Sequence, residues 1–100
     1  MKPVSVDIKK SPKKDKKLVA IFKDQNDKIV KTTHFGAKGM SDYTIHKDKE
    51  RRARYRKRHK KDLDTKDFKR AGYLSYYILW GDSSDLQTAI KDYKSRFKLK

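Results

Sequence analysis

The sequence predicts a single small α+β domain, residues 1–100, with a small antiparallel N-terminal sheet followed by about three helices, one of them strongly basic. Two observations carry this prediction. Short runs of strand-forming residues, separated by polar turns, fill the first third of the chain. In the last third, apolar residues instead recur at helical spacing, at Leu86, Ala89, Ile90, Tyr93 and Phe97.

Three runs of residues predict the sheet. Residues 4–8 (VSVDI) alternate apolar and polar side chains, as a half-buried strand does. Residues 18–23 (LVAIFK) and 28–35 (KIVKTTHF) flank a four-residue polar turn, and this arrangement predicts a β-hairpin. The lysine-rich stretch 9–17 contains a Ser-Pro pair and is predicted to be a mobile loop. The sheet is therefore either a hairpin or a three-stranded meander.

Three helices are predicted in the remainder of the chain. The first covers about residues 44 to 61, with Asp42 or Thr44 as its N-cap. Residues 71–80 (AGYLSYYILW) predict a buried helix, with a strand as the alternative for so short a run. Ser84 and the glutamine three residues later form a capping-box pattern that begins an amphipathic third helix.

The basic run 51–61 (RRARYRKRHKK) is the most distinctive stretch of the chain. Eight of its eleven residues are Lys or Arg and none is acidic, so it carries half of the formal net charge of +16. Unpaired cations at this density cannot be buried. The mixed signs that mark an ordinary solvated helix face are also missing. The run therefore predicts contact with a polyanion, and phosphates are the first candidate because Lys and Arg neutralise them.

The predicted nucleic-acid-binding residues are the cations of this run, the tyrosine within it and a lysine in the preceding glycine-containing loop: Arg51, Arg52, Arg54, Tyr55, Arg56, Lys57, Arg58, Lys60, Lys61 and Lys38. The lysines of residues 13–17 are auxiliary candidates. Tyr55 has two interpretations, since it either stacks on a base or anchors the helix. No motif that reads base sequence is recognisable, so we expect contact with phosphates rather than with base edges.

No pattern of catalytic residues stands out. The chain has no Cys and no Gly-x-Ser-x-Gly elbow. Three histidines, His34, His46 and His59, lack the local i, i+4 pairs typical of helix-borne metal sites, so a metal-dependent accessory nuclease is only a remote alternative. We predict no enzymatic activity, no cofactor and no metal. We also expect a protein that is not secreted and has no transmembrane segment, because no signal peptide or long apolar run is present.

Three separated segments carry a family resemblance: residues 33–60 (THFGAKGMSDYTIHKDKERRARYRKRHK), 71–81 (AGYLSYYILWG) and 89–97 (AIKDYKSRF). In this order, over residues 33–97, they resemble the small basic proteins of uncharacterised function in nucleocytoplasmic large DNA viruses. The resemblance implies a viral origin, with the protein located in the virion and in the interior of the infected host cell. It implies a role on packaged DNA or in the shell, and it supplies no catalytic residues.

Two functions remain open at this point. The first is a non-enzymatic, virion-associated protein that binds nucleic acid mainly through backbone phosphates, with viral genomic DNA favoured over RNA but the choice between them left open. The alternative is a minor capsid or cement protein that bridges acidic shell-protein or membrane surfaces with the same charge. The oligomeric state is not predicted. In either case we expect the corner between strand and helix to position the basic helix through shared residues of the resemblance: His34, Phe35, Gly36, Gly39, Asp42, Tyr43 and His46.

Overall fold

The computed structural model describes residues 3–39 and 41–100 and has the predicted α+β architecture. Its three strands are β1 (Ser5–Lys10), β2 (Lys16–Lys23) and β3 (Ile29–Ala37). They form an antiparallel meander in the order β1-β2-β3, which confirms the three-stranded alternative. The carboxylate of Asp24 closes the β2–β3 turn, because it accepts the backbone N–H groups of Asn26 and Lys28 at 2.8 and 3.1 Å.

Helices make up most of the second half of the described chain. The α-helices are α1 (Tyr43–His46), α2 (Lys49–His59), α3 (Ala71–Leu74) and α4 (Leu86–Arg96). A 3₁₀ helix (Lys60–Thr65) follows α2 directly, and a π-helical turn (Ser75–Leu79) continues α3. The segment predicted as a buried helix, residues 71–80, is therefore helical. No helix in these two described ranges is long and apolar enough to cross a membrane.

The single helix predicted from about residue 44 to 61 was wrong, because the structure divides it in two. Lys47 adopts the left-handed conformation, with φ of 57°, and ends α1. Asp48 then starts α2, since its carboxylate accepts the backbone N–H groups of Glu50 and Arg51 at 3.0 and 3.3 Å. No Gly or Pro marks this break in the sequence, so helical periodicity alone could not reveal it.

The predicted loop 9–17 is shorter in the structure. β1 continues to Lys10, and β2 already begins at Lys16, whose Cα pairs with that of Ala37 in β3. Residues 11–15 alone make the connection. Strand pairing therefore extends through lysines that composition had assigned to a loop, because their side chains can remain in solvent while their backbones join the ladder.

The predicted capping box at Ser84 was also wrong, by one residue. The N-cap of α4 is Asp85, and its carboxylate accepts both the backbone N–H and the hydroxyl of Thr88, at 3.0 and 2.6 Å. Ser83 in turn receives the backbone N–H of Asp85 at 3.1 Å. Asp is as good an N-cap as Ser, so sequence preference could not choose between neighbouring positions.

The hydrophobic core lies between one face of the sheet and the last two helical segments. The sheet contributes Val6, Leu18, Ala20, Phe22 and Phe35, and the helical segments contribute Leu74, Ile78, Leu79, Ala89, Ile90 and Tyr93. Burial of one such large side chain stabilises the fold by roughly 1.5–3 kcal/mol. The basic helix α2 contributes no buried residue. It therefore lies outside the core and is positioned by contacts at its surface.

Candidate nucleic-acid interface

The basic helix is attached to the rest of the protein through an aromatic stack. The ring of Tyr55 is nearly parallel to that of Trp80, with 4.2 Å between centroids and 8° between planes, and it also stacks on His59 at 4.1 Å. Two rings this close to Tyr55 must lie on its opposite faces, since on one face they would overlap. The structure thus places Tyr55 as an anchor, with neither face open to a base. Burial also raises the pKa of its hydroxyl.

Arg52 fastens the first turns of α2 to the loop that follows the π-helical turn. Its guanidinium donates a hydrogen bond to the carbonyl of Gly81 at 3.3 Å and lies 4.7 Å from the ring centroid of Tyr43. The Arg52 side chain is 22% exposed. Its cation is directed toward the protein, and we do not place it among the groups that face a ligand.

Arg56 makes the second attachment, one helical turn further along. Its Nη1 donates to the Asp82 carboxylate at 2.9 Å, and its guanidinium lies 4.9 Å from the ring centroid of Tyr76. The hydrogen bond from Arg56 lowers the pKa of Asp82, and the nearby charges of Arg56 and Arg52 lower it further. Desolvation raises this pKa, but by less than the hydrogen bond lowers it. Two of the eight cations of the basic run therefore hold the helix in place.

The corner between β3 and α1 is fixed by a buried carboxylate. Asp42 is 2% exposed, and it caps α1 by accepting the backbone N–H of Thr44 at 2.9 Å. Its other oxygen pairs with Lys17 Nζ at 2.5 Å. Gly36 has φ of 79°, and a Cβ there would lie 2.8 Å from the side chain of Leu79. A side chain at residue 36 would therefore be strained by the positive φ and would have to displace the end of the Leu79 side chain.

An open groove of about 910 Å³ lies between α2 and the sheet. One wall is a face of α2, and the opposite wall is formed where β2 begins and β3 ends. Between them lie half-buried Trp80 and, beneath the surface, the buried side chains of Phe35 and Leu79. Seven cations line the groove: Lys16, Lys17, Arg51, Arg54, Lys57, Arg58 and Lys61. Its two carboxylates both have internal partners, because Asp42 pairs with Lys17 and Asp62 lies 3.2 Å from His59 Nδ1. The formal net charge of the lining is +5.

The structure therefore sorts the predicted residues into three groups. Five cations of the basic run line the groove: Arg51, Arg54, Lys57, Arg58 and Lys61. Arg52, Tyr55 and Arg56 attach the helix, and Tyr55 also lines the groove. Lys60 and Lys38 are exposed and do not line the groove. The auxiliary lysines Lys16 and Lys17 form the opposite wall.

Helical spacing explains how one run of cations serves two purposes. Residues 51, 54, 58 and 61 recur at intervals of three or four and share one face, while 52, 55 and 56 lie on the neighbouring face. A sequence in which almost every position is basic shows no stripe that separates these faces. The attachment sites Trp80 and Asp82 lie outside the run, so only the folded chain reveals the division.

The three histidines serve separate parts of the molecule. His34 Nδ1 lies 2.7 Å from the hydroxyl of Ser11, away from the corner where we had expected it to act. His46 Nδ1 accepts the backbone N–H of Asp48 at 2.8 Å, and its ring lies 5.2 Å from that of Trp80. His59 belongs to the Tyr55 stack. Over residues 3–39 and 41–100, no three His, Cys, Asp or Glu side chains are grouped to hold a metal ion.

One protein-family model matches residues 6–59, and its description is "Family of unknown function (DUF5754)". The match covers 54 of the 100 residues. The chain belongs to this family. The matched segment runs from β1 to the last residue of α2, so it contains the cations of both strand and helix walls up to Arg58. Searches of curated proteins and of solved structures gave no match.

Proposed function

We propose that this chain is a non-enzymatic protein that binds nucleic acid through its backbone phosphates. The observation that carries the proposal is the groove, which seven cations and two carboxylates line. Lys17 pairs with Asp42, so six further cations remain beside Asp62, which itself lies 3.2 Å from His59. Like charges that converge on a cleft reinforce one another's potential and raise the local concentration of an oppositely charged ligand. Bound phosphates would release their counterions, which is the main source of sequence-independent affinity.

The aromatic residues support binding with little sequence preference. Tyr55 has both faces covered, and Trp80 has one face on Tyr55 and His46 close by. Stacking of bases on open aromatic faces is therefore not a large part of the proposed interaction. The arginines and lysines that remain free are suited to phosphate oxygens, which look the same beside every base.

The proposed biological setting is a viral particle, with viral genomic DNA as the ligand. This part of the proposal is supported by the resemblance of residues 33–97 to small basic proteins of nucleocytoplasmic large DNA viruses. The alternative setting, a minor capsid or cement protein, uses the same cations against acidic protein or membrane surfaces. The two settings differ in whether an acidic polypeptide can replace nucleic acid.

Fluorescence anisotropy of the purified chain tests the proposal. A labelled DNA duplex of random sequence and one of its separated strands are titrated over a range of salt, with polyglutamate as the competitor. We expect at least one form of DNA to bind with a steep salt dependence and to resist displacement by polyglutamate. Equal displacement by polyglutamate would contradict the proposal and favour the capsid alternative.

A further inference from the structure

The groove is small for a nucleic-acid site. Its volume of about 910 Å³ falls in the range of pockets that enclose small ligands, roughly 300–1,000 Å³. A DNA duplex is a stiff cylinder, with a major groove of about 12 Å that itself admits a whole helix. Such a cylinder cannot enter the space between α2 and the sheet. The sugar-phosphate backbone of a single strand can enter this space, because it is narrower than a duplex and bends freely.

The arginines of α2 that do not attach the helix all line this groove, where their side chains are exposed. Arg51, Arg54 and Arg58 face the wall that carries Lys16 and Lys17. By helical spacing, the side of α2 that faces neither the groove nor the attachment contacts of Arg52 and Arg56 carries residues 49, 53 and 60, which include two lysines and no arginine. A helix that docks in the major groove of a duplex presents its basic side chains on its outward side. α2 has the opposite arrangement.

The apolar surface between the two walls also distinguishes single strands from duplexes. Half-buried Trp80 and exposed Ala71 supply accessible apolar atoms to the groove, whereas Phe35 and Leu79 lie beneath its surface, 0% and 4% exposed. A duplex exposes base edges in its grooves but keeps the faces of its bases inside the stack. A single strand can turn the apolar face of a base toward this surface while its phosphates reach the cations on both sides.

We infer that the groove between α2 and the sheet binds single-stranded nucleic acid, with one backbone held between Lys16 on the sheet wall and the arginines of α2. This inference rests on the proposed function and specifies the form of its ligand. The sugar can be deoxyribose or ribose, since phosphate recognition does not depend on the 2′-hydroxyl.

The experiment compares three labelled probes of equal length: poly-dT, poly-rU and a duplex of mixed sequence. The full chain is titrated with each by anisotropy at several salt concentrations. The groove variant is Arg54→Gln/Arg58→Gln. The control variant is Lys28→Gln/Lys49→Gln, which removes the same charge at two exposed lysines that do not line the groove.

We expect at least one of the two single strands to bind more tightly than the duplex. For that strand, the groove variant should lower the salt slope by about 1.4, which is about 0.7 for each lost phosphate contact, and the control should change it much less. Duplex binding that equals or exceeds that of both single strands, or equal effects of the two variants, would overturn the inference and leave the proposed function standing. Failure of every probe to bind better than polyglutamate would overturn both.

Discussion

Two neighbouring faces of α2 carry the same kind of residue and have different roles. On the attachment face, Arg52 and Arg56 bind Gly81 and Asp82, and Tyr55 stacks on Trp80. On the groove face, Arg54, Arg58 and their neighbours line the groove opposite Lys16 and Lys17. The comparison shows that the groups around an arginine, rather than its place in a basic run, decide whether its role is structural or ligand-binding. Internal partners make it a structural residue, and their absence leaves it available for a ligand.

Removal of Trp80 should have the largest effect. Trp80→Ala takes away the ring on which Tyr55 stacks, and we expect the free energy of unfolding to fall by about 3 kcal/mol. Nucleic-acid affinity should fall as well, because α2 loses its fixed position beside the sheet. Urea denaturation and hydrogen exchange of α2 amides measure the two effects. Trp80→Phe, which keeps an aromatic ring, is the control and should retain most of the stability. Unchanged exchange of α2 in Trp80→Ala would show that the stack does not hold the helix.

The double variant Arg52→Gln/Arg56→Gln tests the attachment face directly. Each substitution removes a charge-assisted hydrogen bond and a contact with a tyrosine ring. Because Asp82 is largely exposed and solvent screens its pairing, we expect a total loss of only about 1–2 kcal/mol in the free energy of unfolding. Urea denaturation checks this value. A stability equal to that of the unmodified chain would mean that these arginines are as free as those of the groove face.

The groove variant Arg54→Gln/Arg58→Gln should weaken nucleic-acid binding without lowering stability, unlike the variant of the attachment face. Both side chains are exposed and sit four residues apart with like charge, so their removal should leave the free energy of unfolding within about 0.5 kcal/mol of its original value or raise it slightly. Its effect should appear in nucleic-acid binding alone. A substantial loss of stability in the same urea measurement would erase the distinction between the two faces.

Acid should weaken the attachment face by a small amount. Because the pKa of Asp82 is lowered in the folded protein, its contribution to stability is complete above the ordinary Asp pKa of about 3.9 and is lost as pH falls through the lowered value. The stability difference between the unmodified chain and Asp82→Asn should therefore be present at neutral pH and vanish in strong acid. Urea midpoints at the two extremes give this difference. A difference that persists in strong acid would show that the charge of Asp82 is not its source.

The fold could largely be predicted from sequence because its signals are local. Alternating residues and a polar turn specify the meander, and the apolar run 71–80 specifies a buried helical segment. The break at Lys47 escaped prediction, since a left-handed lysine has no compositional mark. The start of β2 at Lys16 also escaped, because it depends on pairing with Ala37 across the sheet.

The candidate site was predictable in its charge and not in its geometry. The basic run is evident in the sequence, and it does supply most of the groove cations. Its division into two faces depends on Trp80 and Asp82, which lie 25 and 26 residues after their partners Tyr55 and Arg56. The groove itself needs the second wall at Lys16 and Lys17, which the sequence suggested only as part of a loop. Long-range contacts of this kind leave no periodic trace.

Chemical-shift mapping of the full chain by NMR tests the central claim most directly. The backbone amides and the Trp80 indole are followed while unlabelled poly-dT is added. We predict that the shifts concentrate at Lys16, Lys17, the groove face of α2 and the Trp80 indole, and that the turn at Lys28 remains unchanged. Shifts spread evenly over exposed lysines throughout the surface would contradict the account, because they would show that the charge acts without the groove.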